Sequence, residues 1–158
     1  MKKILIAYYS RTGTTRELAM KLQEKLGADR EEIETTKDRS GVVGYFICGK
    51  EATKKQAAEI KPTGKTASEY DLIVLGTPVW GWNISSPLRA YLEQNRRKFK
   101  AIAAFCTMSG SGDKRSFSEI ESICGLKLLA QASFLTKDVK EGKHRGQLEE
   151  FLKSIQAE

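Results

Sequence analysis

The feature that most constrains this chain is a run of apolar residues from Ile4 to Tyr9, cut off at once by the hydroxyl-rich stretch Ser10-Arg-Thr-Gly-Thr-Thr15. The run has no alternating polar face, so it predicts a strand covered on both sides, the kind found inside parallel sheets. Behind the turn, Leu18, Ala19, Leu22 and Leu26 recur at helical spacing, and Gly27 supplies the C-terminal cap. The order is therefore strand, hydroxyl-rich loop, helix N-terminus. A helix N-terminus offers unpaired N–H groups and the positive end of the dipole. The hydroxyls of Ser10, Thr12, Thr14 and Thr15 add donors, and Gly13 lets the backbone approach an anion closely. An ordinary N-cap needs only one Ser or Thr, so the pattern predicts a phosphate site. It has neither the Gly-Lys-Ser/Thr ending of a Walker loop nor the triple-glycine spacing of a dinucleotide fingerprint.

The same strand-then-loop pattern returns twice. Tyr70 to Gly76 is a second buried-strand run, followed by Thr77-Pro-Val-Trp-Gly-Trp-Asn83 and a helix capped by Ser85 or Ser86 with Pro87 in its first turn. Ala101 to Cys106 is the third, followed by Thr107-Met-Ser-Gly-Ser-Gly112 and a helix marked by Phe117, Ile120 and Ile123, with Gly125 as its cap. Residues 28 to 36 fit an edge strand and residues 127 to 135 a fifth strand. A helix over 147–156 carries Leu148, Phe151, Leu152 and Ile155 on one face. From Val42 to Ala58 the pattern is helical, but Gly41, Gly44 and Gly49 predict an irregular start. Five strands alternating with five helices give an α/β domain spanning residues 1–158, a parallel sheet with helices on both faces. Right-handed crossovers and this length favour strand order 2-1-3-4-5. Ligands of such sheets bind outside the carboxyl ends of the strands where the order reverses. The three unusual loops, 10–15, 77–83 and 107–112, fall at that edge.

The segment Tyr8-Tyr-Ser-Arg-Thr-Gly-Thr-Thr15 after an N-terminal strand resembles the FMN-phosphate loop of flavodoxins, and nearly the whole chain is similar to the short-chain members of that family. The resemblance implies a flavodoxin-like fold, FMN as cofactor, and electron transfer through it. It implies a cofactor site of Ser10, Arg11, Thr12, Gly13, Thr14 and Thr15 around the phosphate, and Thr77, Pro78, Val79, Trp80, Gly81 and Trp82 beside the ring. Thr107, Ser109, Gly110 and Gly112 would serve its pyrimidine side. Trp80, directly after Thr-Pro-Val, matches the family's flavin contact better than Trp82, and indoles stack well on flat, electron-poor rings. Gly81 matches the position where the family backbone flips near the flavin N5. Arg11 either pairs with the phosphate or points to solvent. Many flavodoxins carry an aromatic residue in the third loop; this chain has none between 107 and 112, which leaves one flavin face open. Two activities follow from the resemblance. One is an electron carrier between redox protein partners. The other is an FMN-dependent NAD(P)H oxidoreductase with a small acceptor such as a quinone. A flavin-less binding protein is the third reading, and it would purify colourless.

Nothing resembles a hydrolase triad, a paired-carboxylate centre or a metal set. The formal charge is +7 with a pI near 9.3, yet the cations are spread over several segments. The densest group, Arg96-Arg97-Lys98, suits a helix C-terminus. Nucleic acid is therefore not expected as a partner, and protein partners should present acidic patches. No apolar run approaches the roughly 20 residues of a membrane span, and no signal-peptide pattern follows Met1. Cys48, Cys106 and Cys124 form no CxxC pair and fit reduced thiols in the cytoplasm, with Cys106 a packing residue. His144 reads as a solvated residue before the last helix. A monomer or weak dimer is expected.

Overall fold

The computed structural model describes residues 1–158. The central sheet contains parallel strands β1 (Ile4–Tyr8), β2 (Asp29–Glu32), β3 (Leu72–Trp80), β5 (Ile102–Met108) and β6 (Leu128–Leu135), in the order β2-β1-β3-β5-β6. A short β4 (Asn83–Ile84) folds back antiparallel on β3. The five parallel strands thus follow the expected order, with β2 at the edge. Helices α1 (Thr14–Leu26), α2 (Gly41–Thr53), α3 (Ser86–Asn95), α4 (Asp113–Cys124), α5 (Thr136–Lys140) and α6 (Arg145–Gln156) complete the chain.

Alternation along β1 divides the core. Leu5, Ala7 and Tyr9 join Ile73, Leu75, Leu88, Tyr91, Phe117 and Ile120 on the face of α3 and α4. Ile6 and Tyr8 point the other way, into a second cluster with Leu18, Leu22, Phe105, Phe134, Phe151 and Leu152 on the face of α1 and α6. Both faces of the sheet are dry, which is why its strands read as unbroken apolar runs. Strand β3 lies beside β5 with Gly76 opposite Phe105, a point where a side chain cannot fit. A Cβ on Gly76 would stand 2.4 Å from the Phe105 ring.

Four expectations need correction. Strand β3 does not stop at Gly76 but continues to Trp80. Thr77 and Pro78 pair with Cys106 and Thr107 of β5, and Val79 and Trp80 pair with β4. Helix α2 is unbroken from Gly41 and ends at Thr53, short of Ala58. Its glycines do not break it, and Gly44 is a close approach: a Cβ there would stand 2.0 Å from the Arg39 carbonyl oxygen. A sixth helix, α5, follows β6 directly. His144 is buried, not solvated. Its Nε2 lies 2.9 Å from the Lys21 ammonium, which has only protons to give, so the imidazole accepts. The hydrophilic neighbours Lys143, Arg145 and Gly146 are exposed, and their composition masked the one side chain that turns inward.

Candidate functional site

A cleft of about 970 Å³ opens at the carboxyl edge of the sheet, in the crevice where the strand order reverses between β1 and β3. Its first wall is the loop after β1. Ser10 Oγ accepts the N–H groups of Gly13, at 3.1 Å, and Arg16, at 3.2 Å, and so curls the loop. Gly13 is the N-cap of α1 with φ +101°, a conformation that other residues adopt only with strain, and it has no side chain to cap the helix; only the Arg16 N–H of the first turn is taken, by Ser10. The first-turn N–H groups of Thr14 and Thr15 therefore retain the free donors of a helix N-terminus. Ser10, Thr12, Thr14 and Thr15 all line the cleft.

The second wall is the β3–β4 hairpin. Trp80 pairs with Asn83 across the two-residue turn Gly81-Trp82, whose φ values of +53° and +60° are those of a type I′ turn. Trp80 is half-buried and meets Tyr9 edge to face, with ring centroids 5.4 Å apart. Trp82 is 64% exposed, and a bulky residue at positive φ is a conformational outlier. The third wall is the end of β5 and the loop after it, where Thr107, Met108, Ser109, Gly110 and Ser111 line the cleft. The walls touch one another. Thr15 Oγ1 and Thr107 Oγ1 lie 2.9 Å apart. Gly112, at φ +105°, leaves room for the hairpin, since a Cβ there would meet Val79 Cγ1 at 2.6 Å and the Trp82 Cα at 2.9 Å.

Three of the expected residues do not line the cleft: Gly13, Thr77 and Gly112. The two glycines shape it from behind. Thr77 is fully buried, and its hydroxyl turns to α3, accepting the Ser85 N–H at 3.0 Å. Arg11 lines the cleft and does not simply point to solvent. It donates from Nε to the Arg39 carbonyl at 3.0 Å and from Nη2 to the Gly41 carbonyl at 2.7 Å, while its guanidinium lies over the Tyr45 ring.

That contact leads to a wall the sequence reading missed. Tyr45, Phe46, Cys48, Gly49, Lys50, Thr53 and Lys54 line the cleft from α2, and Thr136 and Lys140 from α5. The aromatic residues absent from the third loop thus stand on α2. The helix presses its small residues Gly44, Cys48 and Ala52 inward and sits against the hairpin so tightly that a Cβ on Gly81 would meet Thr53 Oγ1 at 2.3 Å. Arg39, buried at the foot of α2, pairs with Glu51 through both terminal nitrogens. Of the glycines at 41, 44 and 49, Gly44 is the one that marks close packing, against the Arg39 backbone.

The chemistry of the lining is one-sided. Its charged residues are Arg11, Lys50, Lys54 and Lys140, with no Asp, Glu or His among them. Burial raises the Cys48 thiol above its ordinary pKa although the Arg39 guanidinium opposes the shift, so the thiol stays protonated. Burial likewise pushes the Tyr9 hydroxyl up to about 12. The walls supply cations, backbone donors, hydroxyls and aromatic faces, a set that holds an anionic aromatic ligand and offers no carboxylate or imidazole for general acid–base work. A neighbouring cleft of about 430 Å³ at the end of β2 shares Ser10 and Arg11 but mixes Glu32, Glu34 and Asp38 with Lys37, Arg39 and Lys61, so its lining is not one-sided.

A family model for flavodoxin matches residues 3–151. The chain belongs to the flavodoxin family. No curated protein matches it by sequence. Among solved structures, it is similar to a flavoprotein from Lactobacillus acidophilus in complex with FMN, with 24% identity and a TM-score of 0.73, over 89% of this chain and 98% of that one. The apo form of the L. acidophilus flavoprotein matches at 26% identity and a TM-score of 0.68, over 85% of this chain and 93% of that one. A flavodoxin, WrbA-like protein from Agrobacterium tumefaciens matches at 13% identity and a TM-score of 0.60, over the full length of both chains. The flavodoxin fold is thus common to proteins whose sequences have drifted far apart.

Proposed function

We propose that this flavodoxin-family protein binds FMN in the 970 Å³ cleft and serves as an electron carrier, taking electrons from one redox protein and handing them to another. The observation that carries the reading is the composition of the cleft: aromatic rings and four cations around a glycine-capped helix N-terminus, with no acidic or imidazole side chain. The first-turn N–H groups of α1 and the hydroxyls of Ser10, Thr12 and Thr14 would hold the phosphate. Trp80, Trp82 and the backbone of Ser109 to Ser111 would flank the ring, with Tyr45 and Phe46 on the side of α2. When bound, FMN supplies the redox chemistry, and the protein supplies binding, orientation and electrostatics. A lining without carboxylate or imidazole side chains suits passage of electrons more than proton-coupled turnover of a substrate.

One observation favours the second reading, an FMN-dependent NAD(P)H oxidoreductase with a quinone-like acceptor. The cleft volume lies at the upper end of the roughly 300–1,000 Å³ typical of single-ligand pockets, which leaves space beside a flavin. Visible spectroscopy separates the two. The purified chain should take up FMN and keep its colour when NADPH is added anaerobically, bleaching only when a separate reductase is present. Rapid bleaching with NADPH alone would establish the oxidoreductase reading, and failure to retain FMN would overturn both.

A further inference from the structure

We propose that α2 and the adjoining Trp82 form a docking face for anionic membrane surfaces. Nine large apolar side chains are exposed in the whole chain, and five of them, Val42, Val43, Tyr45, Phe46 and Ile47, sit within two turns of this one helix, 42–73% exposed. A sixth, Trp82, belongs to the hairpin packed against the same helix. Scattered exposed apolar residues are ordinary, but a contiguous cluster marks an interaction surface.

The charges around the cluster choose its occupant. Lys37, Lys50 and Lys54 are exposed beside it. Glu51 is turned inward onto Arg39, which leaves Asp38 as the one exposed carboxylate from residue 37 to 54. A second copy of the chain would bring the same lysines against these and be repelled. A protein partner asks for about one hydrogen bond per 100–200 Å² of interface, whereas the six apolar side chains offer only the Tyr45 hydroxyl and the Trp82 indole N–H. Tyr and Trp of this kind are the side chains that settle at the boundary between hydrocarbon and headgroups. Lipid acyl chains need no hydrogen bonds, and anionic headgroups match the lysines. The N-terminus of α2, with no side-chain cap bond at Ser40, adds free N–H donors where headgroup phosphates would lie. Tyr45, Phe46 and Trp82 also line the cleft, whereas Val42, Val43 and Ile47 lie outside its lining and are the part of the face that a bound flavin would leave open. Binding by this face requires no flavin.

The test is cosedimentation of the full chain with phosphatidylcholine vesicles, with and without phosphatidylserine, together with tryptophan emission. The expected result is binding to the phosphatidylserine vesicles only, loss of that binding at high salt, and a blue shift that Trp82→Phe removes. Each lysine near an anionic surface contributes about fivefold in affinity, so Lys50→Ala with Lys54→Ala should weaken binding by about 25-fold. Val42→Ser with Val43→Ser, two exposed positions outside the cleft lining, should leave the circular dichroism and Tm unchanged and still abolish the blue shift. Absence of vesicle binding would overturn the proposal. So would vesicle binding that the serine variant leaves intact, which would be simple adhesion of a basic protein. Self-association lost in the serine variant would assign the face to a second copy. Protection of α2 from hydrogen exchange by an acidic ferredoxin, without vesicle binding, would assign it to a protein partner.

Discussion

At the scale of single residues, the site stores conformational strain at Trp82. An L-residue in the left-handed region costs about 1–2 kcal/mol, and glycine there gives back roughly half of that gain as unfolded-state entropy. Trp82 is largely exposed, so little buried area is lost on truncation. Trp82→Gly should therefore stabilise the apo chain by up to about 1 kcal/mol in urea denaturation while weakening FMN retention in equilibrium dialysis. A loss of stability would show that the indole packs more than its exposure implies. Gly81 is the opposite case. Its positive φ and the Thr53 hydroxyl 2.3 Å from a Cβ position leave no side chain that fits.

At the scale of elements, α2 is the least conventionally anchored helix. Its inward stripe is only Gly44, Cys48 and Ala52, which bury little apolar area, so polar contacts matter more than usual. The Arg39–Glu51 pair is almost wholly enclosed, and removing one partner of a buried pair leaves an uncompensated charge worth about 3 kcal/mol or more. Glu51→Ala is expected to speed amide exchange throughout 41–53 before it lowers the global unfolding midpoint. Uniform loss of protection across the sheet would show that α2 is not an independent unit. Arg11 ties the start of α2 to the loop between β1 and α1 through two carbonyls. Disturbing the helix should therefore also reach the loop between β1 and α1.

At the scale of the whole molecule, titratable groups bound the pH range of stability. Hydrogen bonding from Arg16 holds Glu32 below its ordinary 4.5, and hydrogen bonding from Ser133 holds Asp113 below 3.8. Groups with depressed pKa contribute stability above their unfolded values, and it is lost as pH falls through the folded ones. At the other end, burial raises Tyr8 from 10.0 to about 12, so the folded state resists ionisation and stability declines as pH rises from 10 toward 12. The Tm should be level between about pH 5 and 9 and fall on both sides. Asp113→Asn should flatten the acid limb. An acid limb unchanged in that variant would remove Asp113 from the account.

The sequence by itself determined the parallel sheet, its strand order and the three loops at its switch point. Strands buried on both faces must be apolar throughout, and a loop that serves an anion must be rich in hydroxyls and glycine. Both demands are local and can be read from neighbouring residues. Only the tertiary structure decided that β3 runs on to Trp80, that Thr77 faces α3, and that Arg11 turns to α2. These depend on pairings and hydrogen bonds with residues up to 30 positions away in the chain. It also decided that α2 supplies the missing aromatic wall and that His144 is buried against Lys21. Glycine and histidine carry no sign of which neighbour will approach them; that is settled when distant elements pack.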